Sequence, residues 1–243
     1  MRLVGVGVGP GDPELLTLRA VRALREADRV FAPSSSLEAV GRAETVVRQV
    51  LPDLDVERLV IAMGSADGTV ESAAARISAT LAAGGSAAFV TLGDPNVYST
   101  FSAVARAVIR RLPRVEVVTV PGITAFQDLA SRSATVLLEG RERLRLVTGL
   151  GGTEALEAAL DEPDDAVVVY KGGRHLPELA KLLAAHGRLE GAMFGELLGL
   201  PGERVTPVAD AGGRPASYLA TVLVPPLGRT QETSPPRGSE VGR

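Results

Sequence analysis

Residues 3–28 read "LVGVGVGPGDPELLTLRAVRALREAD" and residues 87–108 read "AAFVTLGDPNVYSTFSAVARAV". Both are a short apolar run, a glycine break closing on Asp-Pro, and then apolar residues at helical spacing. That strand–break–helix grammar, met twice, predicts an α/β fold. In the first stretch Leu3–Val8 is the strand and Gly9-Pro10-Gly11 the break. Asp12 suits a helix N-cap, with Pro13 at the first helical position. Leu15, Leu18, Val21 and Leu24 then form an apolar stripe, with Arg19, Arg22 and Arg25 among them. "DRVFAP" follows as a second strand, which is the rhythm of a parallel sheet.

Working outward, a helix is expected around 39–50, "RLVIAM" as a strand, and a helix from about Val70 to Ala83. "SAAFVTL" scarcely alternates, as expected for a strand buried on both faces. Pro113 with its flanking arginines suggests a division of the chain into two α/β domains, 1–113 and 114–228, with a cleft between them. In the second half "VEVVTV", "RLRLVTG", "AVVVYKGG", "GAMFGELLG" and "YLATVLVPP" read as strands. "LPELAKLLAAHG" reads as a helix stopped by Gly187. Residues 229–243, rich in Pro, Gly and Ser, are expected to be disordered.

Composition narrows the chemistry. The 243 residues, 45% hydrophobic and 23% charged, are those of an ordinary globular protein. With no cysteine there is no thiolate nucleophile, disulfide or Cys-based metal site, and a total of two histidines argues against a His-rich metal site. A net charge of −3 and the absence of tryptophan argue against nucleic acid as the main partner. No apolar run approaches the roughly 20 residues that span a bilayer, and no secretory leader is visible, so a cytoplasmic, membrane-free protein is expected. Lys171 and Lys181 are the only lysines beside many arginines. Codon bias and a demand for bidentate carboxylate binding both account for that.

Glycine breaks at strand ends usually cradle phosphate, but these carry carboxylates, Asp12 and Asp94. The dinucleotide pattern G-x-G-x-x-G fails at its last position in both frames, at Pro10 and at Asp12. No Gly-Lys-Ser/Thr follows, so a nucleotide-triphosphate loop is missing too. Asp12 and Asp94 read either as plain helix caps or as facing a ligand with a positive centre and hydroxyls. S-adenosylmethionine has that makeup. A nicotinamide oxidoreductase is the alternative from another class, disfavoured by the broken pattern.

Together "VGVGPGDPELLTLRA", "LGDPNVYSTF", "PGITAFQDLA" and "VVVYKGGRHLPEL" resemble the tetrapyrrole (precorrin and uroporphyrinogen) methyltransferase family, over roughly residues 2–226. The resemblance implies two α/β domains, each with a mainly parallel sheet, S-adenosylmethionine in the interdomain cleft, and a homodimer. It implies methyl transfer to carbon 20 of precorrin-2, giving precorrin-3A on the way to cobalamin; the cobalt-containing substrate or another ring position is the alternative. By position it places Pro10, Leu92, Gly93, Asp94, Val97, Tyr98, Thr124, Ala125 and Tyr170 around the cofactor. Asp12, Lys171 and Arg174 are weaker candidates for substrate contact, and structural or solvated roles stay open for them. Uroporphyrinogen-methylating relatives carry an acidic residue after the second strand where this chain has Pro33, so no catalytic base is assigned.

Overall fold

The computed structural model describes residues 1–61, 67–211 and 213–227. The chain forms two compact units, Met1–Thr124 and Ala125–Arg243.

In the first unit β1 (Arg2–Gly7), β2 (Arg29–Ser34), β3 (Val56–Val60), β4 (Ser86–Thr91) and β5 (Glu116–Val120) make one sheet. Its order is β3-β2-β4-β1-β5, and every pairing is parallel. The connections α1 (Leu18–Glu26), α2 (Arg42–Val50), α3 (Asp67–Ala82) and α4 (Phe101–Arg111) cover both faces. Period-two alternation sorts the side chains. Val4, Val6, Val30, Ala32, Ala88 and Val90 pack with α1 and α2. Leu3, Phe31, Ala87 and Phe89 pack with α3 and α4. Burial on both sides explains the near-continuous apolar runs of β1 and β4.

Two expectations are corrected here. β5 pairs with β1 from Arg2↔Glu116 to Val6↔Val120, so the first unit runs on to Thr124 instead of ending near Pro113. Asp12 does not start the long helix. It caps a single 3₁₀ turn, Pro13–Leu15, and Leu16 then returns to extended backbone and buries its side chain. Thr17 is the cap of α1, its hydroxyl accepting from the Ala20 N–H at 3.1 Å. The sequence holds two cap signals five residues apart, and the later one wins because Leu16 is drawn into the core. Leu18, expected on the apolar stripe, is consequently 85% exposed.

The second unit contains α5 (Ala125–Arg132), β6 (Arg143–Thr148), α6 (Glu154–Leu160), β7 (Asp165–Tyr170) and α7 (Leu176–Ala185). β8 (Met193–Glu196), β9 (Arg204–Pro207), α8 (Val208–Ala211) and β10 (Ala220–Val224) complete it. The sheet order is β6-β7-β10-β8-β9. The α/β class with two five-stranded sheets stands, and parallel pairing in this second sheet is confined to β6–β7. β10 lies antiparallel between β7 and β8, and β9 is antiparallel to β8. The physical reason is connection length: the short stretch between β8 and β9 cannot carry a crossover, so the chain turns back on itself. α5 packs on Val168 and Leu223, while α6, α7 and α8 pack on Val167, Val169 and Val222. The tail expected at 229–243 lies outside the described residues.

Candidate functional site

The first sheet places its three glycine breaks side by side. β4, β1 and β5 are neighbours, and all three end at the same edge. From β1 the chain leaves toward the α1 face, and from β4 toward the α4 face. Adjacent strands whose connections part to opposite faces leave a crevice beyond their carboxyl ends, where open α/β sheets bind ligands.

Close backbone approach holds this edge together. A Cβ on Gly7 would lie 2.5 Å from the Gly93 carbonyl oxygen and 2.6 Å from the Gly122 nitrogen. A Cβ on Gly122 would lie 2.1 Å from the same carbonyl. Gly9 and Gly93 form an isolated bridge, the Gly93 N–H donating to the Gly9 carbonyl at 2.7 Å. Gly93 itself has φ +66° and nothing within 4 Å of its missing Cβ, so its open side is where a ligand can approach main chain.

The two Asp-Pro sequences fold alike. Asp12 Oδ1 accepts from the Glu14 N–H at 2.9 Å, and Asp94 Oδ1 from the Asn96 N–H at 2.8 Å. Both are i→i+2 side-chain turns of the kind aspartate favours. Asp94 also reaches the third loop, Oδ2 accepting from the Gly122 N–H at 3.1 Å. The Asn96 amide donates to Thr119 Oγ1 at 3.1 Å, and Ser99 Oγ donates to Thr91 Oγ1 at 2.9 Å. Tyr98, between them, is 46% exposed and sits at φ +47°, an uncommon backbone state for a side chain of its size.

Several of the loop N–H groups that a phosphate could use are already engaged. Val8 N donates to Thr91 O, Gly93 N to Gly9 O and Val97 N to Asp94 O. Glu14, Asn96 and Gly122 donate to the two carboxylates. What the edge presents is the open side of Gly93, half-buried Leu92 and Val97, and exposed Tyr98.

In the second unit Tyr170 ends β7, and its hydroxyl accepts from the Phe126 N–H at 3.2 Å, with the two rings 6.2 Å apart. Lys171 follows at φ +60°, its ammonium 5.4 Å from the Tyr218 ring centre. Across β10, Leu197 repeats the left-handed backbone at φ +53°. Lys171 N donates to Ala220 O and Leu197 N to Leu219 O, so the start of β10 is gripped from both sides. Glu196 accepts from the Ser217 N–H at 2.6 Å and from Arg204 at 3.0 Å. Arg174 is exposed on a 3₁₀ turn, Gly173–His175.

The sequence-derived residues therefore fall into two groups. Pro10, Asp12, Leu92, Gly93, Asp94, Val97 and Tyr98 share the carboxyl edge of the first sheet, with Pro10 and Thr124 buried. Ala125 opens α5, and Tyr170, Lys171 and Arg174 stand at the carboxyl end of β7 in the second unit. Sequence reasoning missed Gly7 and Gly122 as a contacting pair, and the Glu196–Ser217–Arg204 brace. The glycines had a signal, since Gly7 ends β1 and Gly122 follows β5 by two residues, but pairing across strands is not local information. Arg143 and Arg145 are two apart and so share a face. Both bind Asp165 at the opposite end of β7, and these bonds, Arg145's first, hold the Asp165 carboxyl below its usual range. Among the described residues no group of three His, Cys, Asp or Glu side chains is placed to hold a metal ion, and no helix is long and apolar enough to cross a membrane.

A family profile described as Tetrapyrrole (Corrin/Porphyrin) Methylases matches residues 2–211. The precorrin-2 C(20)-methyltransferase of Sinorhizobium sp is 35% identical over 92% of this chain and 95% of its own length. The cobalt-precorrin-2 C(20)-methyltransferase of Salmonella typhimurium is 31% identical, again over 92% and 95%. Among solved structures, the uroporphyrin-III-C-methyltransferase from Thermus thermophilus superimposes with a TM-score of 0.62 at 25% identity, covering 92% of this chain and 91% of that one. A cobalt precorrin-4 methyltransferase shares the fold, with a TM-score of 0.70 at 20% identity over 92% and 94% of the two chains. The adjacent glycine breaks and the extent of these matches lead to one conclusion: the chain belongs to the tetrapyrrole methylase family and is an enzyme of that kind.

Proposed function

We propose that the protein methylates carbon 20 of precorrin-2, the S–CH3 bond of S-adenosylmethionine breaking as the C–CH3 bond forms and the carbon then losing its proton, yielding precorrin-3A, S-adenosylhomocysteine and a proton. The observation that carries the cofactor assignment is the spent set of loop donors at the first sheet's edge. A pyrophosphate requires free N–H groups, whereas a nucleoside with hydroxyl and ammonium donors requires acceptors and an approach to main chain. The open side of Gly93 offers that approach to main chain. In this reading Leu92 and Gly93 offer main-chain contacts, with Pro10, Val97, Tyr98, Thr124, Ala125 and Tyr170 as further contacts. Asp94 serves through the loops it joins.

When bound, S-adenosylmethionine supplies a methyl group made electrophilic by its sulfonium. The acceptor carbon of a reduced tetrapyrrole is enamine-like and already nucleophilic, so the chain's task is orientation. Holding two reactants in line is worth about 7–11 kcal/mol of barrier. The rigid loops suit that task, since the Gly7–Gly93–Gly122 contact leaves the edge little freedom to shift. Asp12 is the carboxylate candidate for substrate contact, and Lys171 and Arg174 are the cationic candidates for substrate carboxylates. A homodimer completes the reading, supported by the family resemblance.

The substrate assignment draws on the Sinorhizobium relative, and the Salmonella relative makes the cobalt form the second reading. The test is an anaerobic assay with S-adenosylmethionine and either metal-free precorrin-2 or its cobalt form, with the added methyl located by NMR. One methyl at carbon 20 of the metal-free substrate is expected. Methylation of the cobalt form alone selects the second reading, and no transfer to either overturns the substrate assignment.

A further inference from the structure

Residues 216–220 lead into β10, which runs between β7 and β8. On the β7 side two backbone bonds stitch them down: Ala216 N donates to Gly173 O at 2.7 Å, and Lys171 N to Ala220 O at 3.0 Å. The approach is so close that a Cβ on Gly173 would lie 2.0 Å from the Ser217 carbonyl oxygen. On the β8 side Leu197 N donates to Leu219 O at 3.1 Å. The remaining fastener is a side chain. Glu196 pairs with Ala220 in the β8–β10 register, and its carboxylate accepts from the Ser217 N–H at 2.6 Å. It takes a second bond, at 3.0 Å, from Arg204, which stands opposite it on β9. Arg204 is itself held, its guanidinium 4.8 Å from the centre of the fully buried Phe194 ring.

Tyr218 therefore stands between two residues whose backbones are tied, and its ring is presented from a fixed base. The Lys171 ammonium lies 5.4 Å from the centre of that ring, within cation–π reach. Lys171 reaches it from a left-handed backbone, φ +60°, a state that glycine takes freely and a lysine takes at a cost. A lysine on ordinary surface backbone needs no account. One set in a strained backbone at the carboxyl end of β7, against a ring whose own segment is fastened by a carboxylate, is a placed cation. Placement matters because a lysine stem is flexible and loses much rotamer freedom when its head binds a ligand. An ammonium carries three N–H donors, so contact with a ring face and a bond to a carboxylate are compatible. A reduced tetrapyrrole bears carboxylates around an apolar ring, and a placed cation fixes one point of its rim.

We infer that Tyr218 is a positioning residue for substrate binding: it holds the Lys171 ammonium where that group takes a carboxylate of the tetrapyrrole. This inference rests on the proposed substrate class. It gives the aromatic ring at the start of β10 a role through Lys171, separate from the cofactor loops of β1, β4 and β5.

The test uses the full chain. Anaerobic absorbance titration with precorrin-2 in saturating S-adenosylhomocysteine reads substrate binding, and calorimetric titration with S-adenosylhomocysteine alone reads the cofactor site. Lys171→Met keeps the length of the side chain without its charge and is expected to weaken precorrin-2 binding about tenfold. Tyr218→Leu removes the ring and is expected to weaken it about threefold, while Tyr218→Phe keeps the ring and binds as the wild type does. The double variant Lys171→Met/Tyr218→Leu is expected to bind no more weakly than Lys171→Met, because the ring acts through the ammonium. All four variants are expected to keep the wild-type affinity for S-adenosylhomocysteine. Unchanged precorrin-2 affinity in Lys171→Met or in Tyr218→Leu overturns the inference, and so do losses that simply add in the double variant. A loss of S-adenosylhomocysteine affinity in Tyr218→Leu overturns it too, by placing the pair against the cofactor. Wild-type protein that binds S-adenosylhomocysteine but not precorrin-2 overturns the substrate class and the inference with it, and leaves the cofactor assignment standing.

Discussion

At Gly122 a hydrogen stands where any other residue would put a carbon 2.1 Å from the Gly93 carbonyl oxygen. The obstacle is backbone, held in place by the Gly9–Gly93 bridge, so no rotamer change relieves it. Gly122→Ala is therefore expected to push the second and third loops apart and to weaken S-adenosylhomocysteine binding by at least about tenfold, or about 1.4 kcal/mol, measured by calorimetry. Asp94 tests the same edge by chemistry instead of bulk. Asparagine keeps one acceptor for the Asn96 N–H but sets an amide donor against the Gly122 N–H. Losing one charge-assisted bond in a half-exposed site costs about 1.5 kcal/mol. For a chain of this length that lowers the melting temperature by about 3–6 °C. Asp94→Asn is also expected to reduce S-adenosylhomocysteine affinity several-fold; an affinity equal to wild type would take the Asp94 loop out of the site. The carboxylates that made these glycine loops look unsuited to phosphate are thus loop fasteners, and the fastening is what consumes the phosphate-binding donors.

At the scale of elements, a cluster around Glu44 ties α2 to β3 and to the turn between β2 and α2: Arg48 and Arg58 bind its carboxylate, and Arg58 also donates to the Leu37 carbonyl. Burial works to raise the Glu44 carboxyl, but the hydrogen bonds and charges of Arg58 and Arg48 outweigh it, leaving the carboxyl below its ordinary range. A carboxyl that is lowered in the folded state contributes stability in full above its unfolded pKa of about 4.3. That contribution is lost as the pH falls through the folded value. Glu44→Gln strands two partly buried arginines and is expected to cost about 3 kcal/mol at pH 7. The gap between variant and wild type should narrow below about pH 4, as followed by urea unfolding at both pH values. A gap independent of pH would show that packing, and not charge, is what Glu44 contributes. How much of each element the sequence revealed follows from how local its cause is. β1, β4 and α7 carry their signals within themselves, as uninterrupted apolar runs or a capped amphipathic stretch. The start of α1 was misplaced because two caps compete and only burial of Leu16 decides between them. β9 and α6 went unread. β9 has four residues, and its register comes from β8 alone.

For the whole molecule, two α/β units were legible from repetition of the strand–break–helix grammar, but their boundary was not. Pro113 is a conspicuous break, yet β5 beyond it completes the first sheet against β1. Only strand order, a long-range property, assigns it there. The candidate site was legible in part, for a related reason. Glycine breaks at strand ends are visible in the sequence, whereas the adjacency of β4, β1 and β5 that gathers three of them is topology. That gathering has a consequence for the stability of the whole chain. A ligand that binds only the folded state at a hundred times its dissociation constant stabilises it by about 2.7 kcal/mol. For a chain of this length, that corresponds to a rise in melting temperature of about 5–10 °C. S-adenosylhomocysteine is expected to produce such a rise. NAD and NADP are expected to produce none at the same concentration, because loop donors that their pyrophosphate would draw on, the N–H groups of Val8, Glu14, Gly93, Asn96 and Gly122, are engaged by Thr91, Asp12, Gly9 and Asp94. Gly122→Ala should lose about half of the S-adenosylhomocysteine shift or more while still melting cooperatively, which separates a damaged site from a damaged fold. A shift with NAD and none with S-adenosylhomocysteine would mean that the edge binds phosphate after all, through N–H groups other than those already engaged.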